Sequence, residues 1–170
     1  MITFGILYGM GPSRLSKELG ISFEEAQTYI ESYFARYPGV EKYIESTLEA
    51  ARKTGFVTTL LGRRRFIPDL TSTEGGVRQF AERTAVNTPI QGTAADLIKA
   101  AMVAIDRRLT AAGSGAGMIL QVHDELILEA PEAEVDAVAA VVREEMEGAA
   151  RLSVPLEVAV GVGSSWAEIH

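Results

Sequence analysis

Two apolar, β-prone runs separated by only three residues place the tightest constraint on how this sequence can fold. The runs cover residues 118–122 and 126–130, and His123, Asp124 and Glu125 lie between them. Runs of this length with so short a connection are typical of a β-hairpin. A tight hairpin usually turns through Asn-Gly or another glycine-containing pair. The sequence therefore predicts a hairpin whose tip holds an imidazole and two adjacent carboxylates in place of the usual turn residues.

The adjacent carboxylates at this tip are candidate metal ligands. Two like charges side by side disfavour one another unless a cation or water lies between them. Mg²⁺ prefers oxygen ligands and keeps several of its waters, so a carboxylate at the end of a rigid hairpin, such as Asp124, suits it. Taken by itself, the tip is also compatible with an exposed polar turn that has no function.

Three polar residues spaced by four lie in a long predicted helix, which covers about residues 76–109. They are Arg83, Asn87 and Gln91, and at this spacing they project from one helix face. The amides offer donors and acceptors together, so they could contact the minor-groove edges of base pairs without reading their sequence. A solvated helix face is the alternative. Pro89 lies within the same helix and predicts a kink or a break.

Phe4 and Tyr8 are also four residues apart, in a predicted short helix at the start of the sequence. Two aromatic side chains at this spacing form a stripe of rings. The stripe could be part of the core, or it could be a platform on which a base or sugar packs.

A turn of three consecutive arginines, Arg63, Arg64 and Arg65, is a candidate phosphate contact. A solvated basic corner is the alternative. Residues 56–60 and 64–67 flank the turn and are predicted to pair as a short hairpin.

The other elements complete an α+β pattern. A capping box of Ser22 and Glu25 predicts a helix as far as about Arg36. The remaining expected elements are a second helix to about Lys53, a flexible glycine-rich connection over residues 113–117, a helix from about Val135, and a closing strand over residues 155–162. Hairpin, helix and strand in this order suit a sheet that has helices on one face.

Charge is unevenly distributed along the sequence. The net charge is −7, which argues against a nucleic-acid partner at first sight. However, residues 1–110 have a balance of +2 and residues 111–170 a balance of −9. A phosphate-binding surface is therefore expected in the first two thirds. Cysteine is absent, which fits a cytoplasmic location, and no apolar run is long enough to predict a membrane span.

The order of the motifs resembles that of the bacterial family A DNA polymerases, of the DNA polymerase I type. Residues 4–10 (FGILYGM) resemble the end of that family's fingers helix, and residues 59–65 (TLLGRRR) resemble its fingers hairpin. Residues 87–96 (NTPIQGTAAD) and 121–125 (QVHDE) resemble its next signature and its palm motif. The resemblance implies fingers and a long connecting helix at residues 1–115, and the C-terminal part of a palm with the catalytic hairpin at residues 116–170.

The resemblance also implies a role for each candidate residue. Asp124 would bind the catalytic metal ions, Glu125 would support the site, and His123 would contact the primer end. Arg83, Asn87 and Gln91 would contact the primer–template minor groove. Phe4 would pack on the sugar of the nucleotide, Tyr8 would border the nascent pair, and Arg63, Arg64 and Arg65 would face template phosphates.

The implied reaction is template-directed DNA synthesis in replication and repair. The primer 3′-hydroxyl attacks the α-phosphate of a deoxynucleoside triphosphate, and the complete enzyme, a monomer, uses two Mg²⁺ ions. The family's triphosphate-binding Arg and Lys and its second catalytic aspartate have no counterpart in this sequence. We therefore expect a fragment that is inactive alone. A DNA-binding module without enzymatic activity and a purely structural fragment are the alternatives.

Overall fold

The computed structural model describes residues 2–169, with side chains described from Gly5 onward. It forms two compact units, Met1–Thr93 and Ala94–His170. The elements, in chain order, are α1 (Ile2–Leu7), α2 (Pro12–Leu19), α3 (Phe23–Arg36), α4 (Pro38–Thr54), β1 (Phe56–Thr58), β2 (Arg64–Phe66), α5 (Gly75–Ala112), β3 (Gly117–Val122), β4 (Glu125–Glu129) and α6 (Val135–Glu147). Short 3₁₀ turns lie at Pro68–Thr71, Glu132–Glu134 and Trp166–Glu168. The α+β fold class is confirmed.

The capping box predicted at the start of α3 is present. The Ser22 hydroxyl accepts a hydrogen bond from the Glu25 N–H at 3.2 Å, and the Glu25 carboxylate accepts one from the Ser22 N–H at 2.8 Å. The hydrogen bonds that the Glu25 carboxylate accepts from the Ser22 N–H and the Ser22 hydroxyl lower the pKa of Glu25. Helix α2 was not predicted. It begins at Pro12, which suits a first helical turn because its missing N–H would have no partner there, and it buries Leu15.

Helix α5 continues through Pro89, so the predicted break does not occur. Proline removes one helical hydrogen bond, but neighbouring side chains bond to backbone carbonyls in this region. The Thr88 hydroxyl donates to the Thr84 carbonyl at 2.6 Å, and the Thr93 hydroxyl donates to the carbonyl of Pro89 itself. Although α5 has 38 residues, no described helix combines the length and the apolar character needed to cross a membrane.

The first unit has two small apolar cores. One lies under the N-terminal helices and contains Ile6, Leu15 and Ala26. The other lies between α4, the β1–β2 hairpin and α5, and its buried residues are Ala51, Val57, Ile67, Leu70, Ala81 and Ala85. The second core fixes the hairpin against α5, which matters for the candidate site.

The second unit is built from the C-terminal part of α5, the β3–β4 hairpin and α6. Ile105 and Leu109 of α5 pack with Val138 and Val142 of α6. The predicted hairpin is confirmed, and its strands are antiparallel with an irregularity between Met118 and Leu120.

The closing strand predicted over residues 155–162 is wrong, because this segment forms no strand. A strand requires a partner for its ladder, and the described chain pairs only β1 with β2 and β3 with β4. The Val158 N–H instead donates to the Glu147 carboxylate at 3.1 Å.

The glycine-rich connection is more constrained than predicted. The Glu134 carboxylate accepts hydrogen bonds from the Ser114 hydroxyl and from the Gly115 N–H, the latter at 3.2 Å. The Ser114 hydroxyl also accepts a bond from the Ala116 N–H at 3.1 Å. One carboxylate thus orders the connection, a long-range contact that glycine content does not reveal. The boundary of fingers and palm near residue 115 stays a prediction.

Candidate nucleic-acid interface and metal-binding hairpin

The β1–β2 hairpin is held against α5 by hydrogen bonds at its turn. The Leu60 N–H donates to the Thr93 hydroxyl at 3.0 Å, and the Arg63 N–H donates to the Thr59 hydroxyl at 3.1 Å. Gly92 allows this close approach, because a Cβ there would lie 2.7 Å from the methyl carbon of Thr59. The backbone of the arginine turn is therefore fixed relative to the helix.

An open groove of about 380 Å³ lies between this turn and α5. Its lining residues are Thr59, Arg63, Arg64, Arg65, Thr88, Gln91 and Gly92. Arg65 is oriented by the helix, since its Nη1 donates to the Thr88 hydroxyl at 3.2 Å. All three arginines are exposed. Guanidinium groups match phosphate oxygens in geometry and charge, so the groove can bind a polyanion.

Arg83, Asn87 and Gln91 form a polar stripe on α5, as their spacing predicts. Arg83 and Gln91 are exposed and Asn87 is partly buried. The Asn87 Oδ1 is buried and has no hydrogen-bond partner in the described part of the chain. A buried oxygen without a partner costs roughly 1–3 kcal/mol, so asparagine at this position does not serve stability. This favours a functional stripe over a merely solvated helix face.

The stripe meets the end of α1 at Arg83. Gly9 has φ +84°, and a Cβ at this glycine would lie 3.0 Å from the Cγ of Arg83. Both the left-handed backbone and the close contact favour glycine at this position. The segment that contains Tyr8 is thereby placed beside the polar stripe. Phe4 lies in α1, but its side chain is outside the described residues.

Tyr43 of α4 fixes the same region. Its hydroxyl donates to the Val86 carbonyl at 3.0 Å, one residue before Asn87. Burial raises the pKa of Tyr43, a hydrogen bond with Thr47 lowers it, and the nearby Tyr8 phenol raises it. The two phenols are therefore close enough to interact electrically. Sequence reasoning missed Tyr43, and nothing in its local pattern indicates this long-range contact.

The β3–β4 hairpin turns through His123 and Asp124, since Val122 pairs with Glu125. His123 has φ 54° and is the one non-glycine residue with positive φ in the described chain. Left-handed backbone at such a residue costs of order 1–3 kcal/mol and is often found at functional sites. The Gln121 side-chain amide donates to the His123 carbonyl at 3.0 Å and supports the turn.

The acidic groups at this tip are open to solvent. Asp124 and Glu125 are both exposed, and the Asp124 carboxylate bonds to no group that the structure describes. Residues 2–169 contain no group of three His, Asp or Glu side chains placed to bind one metal ion. Exposed carboxylates of this kind are oxygen donors that a hydrated divalent cation can use.

The structure therefore places the predicted residues in two settings. Within the first unit, the arginine turn shares a groove with Gln91, and Arg83 contacts the segment that contains Tyr8. Within the second unit, His123, Asp124 and Glu125 lie together at one hairpin tip. Thr88 was not identified from the sequence as the residue that orients Arg65, because a threonine in a helix does not by itself indicate such a contact.

Comparison with known proteins identifies the family to which the chain is similar. The family model described as DNA polymerase family A matches residues 1–168. The chain is 56% identical over 165 residues to the thermostable DNA polymerase I of Thermus aquaticus, covering 97% of this chain and 20% of that protein. It is 53% identical over 169 residues to DNA polymerase I of Pseudomonas aeruginosa, covering 99% of this chain and 18% of that protein.

The solved structures include a protein whose fold is similar to that of this chain. The polymerase domain of Pol1 from M. smegmatis, in complex with DNA primer-template and dNTP, has a TM-score of 0.96 and 46% identity. The match covers 99% of this chain and 30% of that one. The chain thus spans about a fifth of the curated relatives' length, and the family model matches nearly the whole of this chain. It belongs to DNA polymerase family A.

Proposed function

We propose that this chain is part of a template-directed DNA polymerase that adds deoxynucleotides to a primer 3′ end. The observation that supports this most strongly is the continuous polar surface of the first unit. The polar stripe reaches the arginine groove at Gln91 and the end of α1 at Arg83. A DNA backbone in the groove would place adjacent base-pair edges along the stripe.

In this proposal the first unit binds primer–template DNA and the nucleotide. Arg63, Arg64 and Arg65 contact template phosphates, which gives affinity without sequence selection. The polar stripe contacts acceptors in the minor groove, which occupy equivalent places in every base pair. A mispair displaces these acceptors, so the amides favour correct pair geometry.

Tyr8 and Phe4 act at the nascent pair. Tyr8 borders the pair and helps position the template, and Phe4 packs on the sugar of the incoming nucleotide. The first unit, not the acidic hairpin, would then select the nucleotide before chemistry. Movement of α1 on nucleotide binding would test the pair before reaction.

The β3–β4 hairpin supports the chemical step. Asp124 binds divalent metal, Glu125 supports the site, and His123 contacts the primer end. Divalent metal use is implied by the family, and Mg²⁺ suits the carboxylate donors. Asp124 would hold such ions, which would supply activation of the attacking hydroxyl and stabilisation of the leaving oxygen. The relatives' length implies that further ligands come from the rest of the polymerase, which is a monomer acting in the cytoplasm.

Single-turnover primer extension by the longest natural protein that contains this chain tests the proposal. Asp124→Asn removes the carboxylate charge, and a metal contact contributes several kcal/mol to the transition state. We therefore expect a rate loss of about a thousandfold or more. Glu129→Gln is the matched control, because Glu129 is an exposed carboxylate on the same hairpin. Extension by Asp124→Asn at the rate of this control would contradict the proposal.

A further inference from the structure

The two faces of the β1–β2 hairpin are chemically different. Alternate residues of a strand point to opposite faces. Arg65 bonds to Thr88 on α5, and its cross-strand partner Val57 is buried. Arg64 and Phe66 therefore point away from α5. Although Arg64 borders the groove, its guanidinium lies over the Phe56 ring on this second face, so the phosphate that it contacts would belong to a different stretch of nucleic acid from the phosphate at Arg65.

The second face presents an oriented pair of rings and a cation. Phe66 is 71% exposed and lies opposite Phe56, with ring centroids 5.7 Å apart at an angle of 64°. The guanidinium carbon of Arg64 lies 4.9 Å from the centroid of the Phe56 ring. Cation–π contact restrains the arginine, and the ring pair restrains Phe66. Both groups are thus ordered before any ligand arrives.

The charge around this face favours a polyanion. Residues 55–67 contain three arginines and no acidic residue, although the chain as a whole has a net charge of −7. Leu60 and Leu61 at the turn are 74% and 54% exposed and extend the apolar part of the surface. An exposed ring beside a fixed guanidinium suits a ligand with both aromatic faces and phosphates. Bases in a duplex are stacked on one another, whereas a single strand leaves base faces free.

We propose that this face, which we call the outer hairpin face (Phe56, Arg64 and Phe66), binds single-stranded DNA. One base stacks on the exposed side of Phe66, and a neighbouring phosphate contacts Arg64. The inference rests on the proposed function in one respect: in a primer–template the bound strand is the unpaired template. Arg64 and Arg65 then bind different stretches of nucleic acid, a division that their adjacency in sequence conceals.

Tryptophan fluorescence tests the stacking directly. The chain has one tryptophan, Trp166, so Trp166→Phe with Phe66→Trp leaves a single reporter on the outer hairpin face. We expect an oligothymidylate of about 12 nucleotides, within the usual site size, to quench its emission. A duplex with the same number of phosphates should quench it far less. Phe23→Trp in the same background is the control, because Phe23 is 51% exposed in the same unit and lies on α3 rather than on the polar stripe.

Affinity variants separate stacking from folding. Phe66→Leu keeps an apolar side chain but removes the ring, and stacking on an aromatic ring accounts for about a fivefold or greater gain in affinity. We expect that loss in Phe66→Leu and near-normal affinity in Phe66→Tyr, with unchanged circular dichroism in both. Arg64→Gln should reduce the dependence of log K on log salt by about 0.7.

Several outcomes would overturn the inference. They are unchanged oligothymidylate affinity in Phe66→Leu, equal quenching of the two tryptophan reporters, or a dimer of this chain that Phe66→Leu disrupts without any effect on DNA. The inference would also be overturned if the fluorescence of Phe66→Trp in the intact parent enzyme did not change on addition of single-stranded DNA. Another part of that protein would then cover the outer hairpin face. If these tests fail while Asp124→Asn still abolishes synthesis, only the outer hairpin face is refuted.

Discussion

The two hairpins of this chain have the same topology and opposite chemistry. The β1–β2 hairpin is basic, and its turn is fixed to α5 through Leu60, Thr93 and the close approach at Gly92. The β3–β4 hairpin ends in acidic groups, and its exposed Asp124 carboxylate bonds to nothing that the structure describes. A surface that recognises DNA shape requires fixed donors. A carboxylate that binds a hydrated metal ion requires open coordination sites instead.

In the proposed function, this difference assigns DNA binding to the basic hairpin and the chemical step to the acidic tip. Changes at the basic hairpin are expected to alter DNA affinity and its dependence on salt. Changes at the acidic tip are expected to alter the rate of nucleotide addition. Changes in the first unit outside the basic hairpin, the polar stripe and the segment that contains Tyr8 are expected to alter stability alone, and they serve as a reference for the other two effects.

Arg65→Gln gives the largest expected effect on binding. A hydrogen bond to a charged group contributes roughly 1.5–3 kcal/mol, so loss of one phosphate contact should weaken duplex affinity about tenfold or more. The slope of log K against log salt should fall by about 0.9. Fluorescence anisotropy with a labelled primer–template measures both. Arg14→Gln is the control, because it removes the same charge from an exposed residue of α2.

Gly92→Ala should disturb the seating of the basic hairpin. The added methyl group would lie 2.7 Å from the Thr59 methyl carbon, and overpacking costs roughly 1–3 kcal/mol. Alanine has a higher helix propensity than glycine, which offsets about 1 kcal/mol of this destabilisation. Chemical denaturation should therefore show a net loss of stability.

A second substitution checks the cause of that loss. Thr59→Ser removes the methyl group that Gly92→Ala would meet and keeps the hydroxyl that accepts from Arg63. We expect Gly92→Ala to lower DNA affinity as well as stability, because it displaces the basic hairpin. The double variant Gly92→Ala with Thr59→Ser should regain most of both. If Gly92→Ala alone is as stable as the wild type, the close approach does not fix the hairpin.

Ser22→Ala should give the smallest effect, a loss of about 1 kcal/mol from the cap of α3. Hydrogen bonds from Ser22 lower the pKa of Glu25 in the folded chain. Their contribution is therefore present above the ordinary pKa of 4.5 and is lost as the pH falls through the lower, folded value. Denaturation at neutral and acidic pH should show a difference in stability between the wild type and the variant that narrows in acid without vanishing, because the hydrogen bond that the Ser22 hydroxyl accepts from the Glu25 N–H does not titrate. Its DNA affinity should not change while the chain stays folded.

Much of the fold follows from local sequence signals. The capping box, the end of α4 and both hairpins were predicted correctly, because each depends on residues close together in the chain. The polar stripe was also predictable, since spacing by four fixes a helix face once the helix continues past Pro89. Its neighbours were not predictable, because contacts such as Tyr43 with Val86 join residues 43 positions apart.

The errors have a common physical origin. Residues 155–162 have a strand-like pattern, but a strand also requires a partner edge. Pro89 predicted a kink or a break, but the helix is not broken, and Ala81 and Ala85 just before the proline pack in a core with Ala51 and Val57. The glycine-rich connection was expected to be flexible, but Glu134 orders it from 20 residues away. In each case a contact distant in sequence outweighed the local preference.

The division between the two hairpins is tested most directly by measuring DNA affinity and single-turnover extension rate on the same samples. The samples are the wild-type parent polymerase, Asp124→Asn and Arg65→Gln, each over a range of Mg²⁺ concentrations. We expect Asp124→Asn to lose about a thousandfold or more in rate with nearly unchanged affinity. Arg65→Gln should lose affinity and keep its rate at saturating DNA. If Asp124→Asn extends primers normally, or if its defect is one of DNA binding alone, the account is wrong.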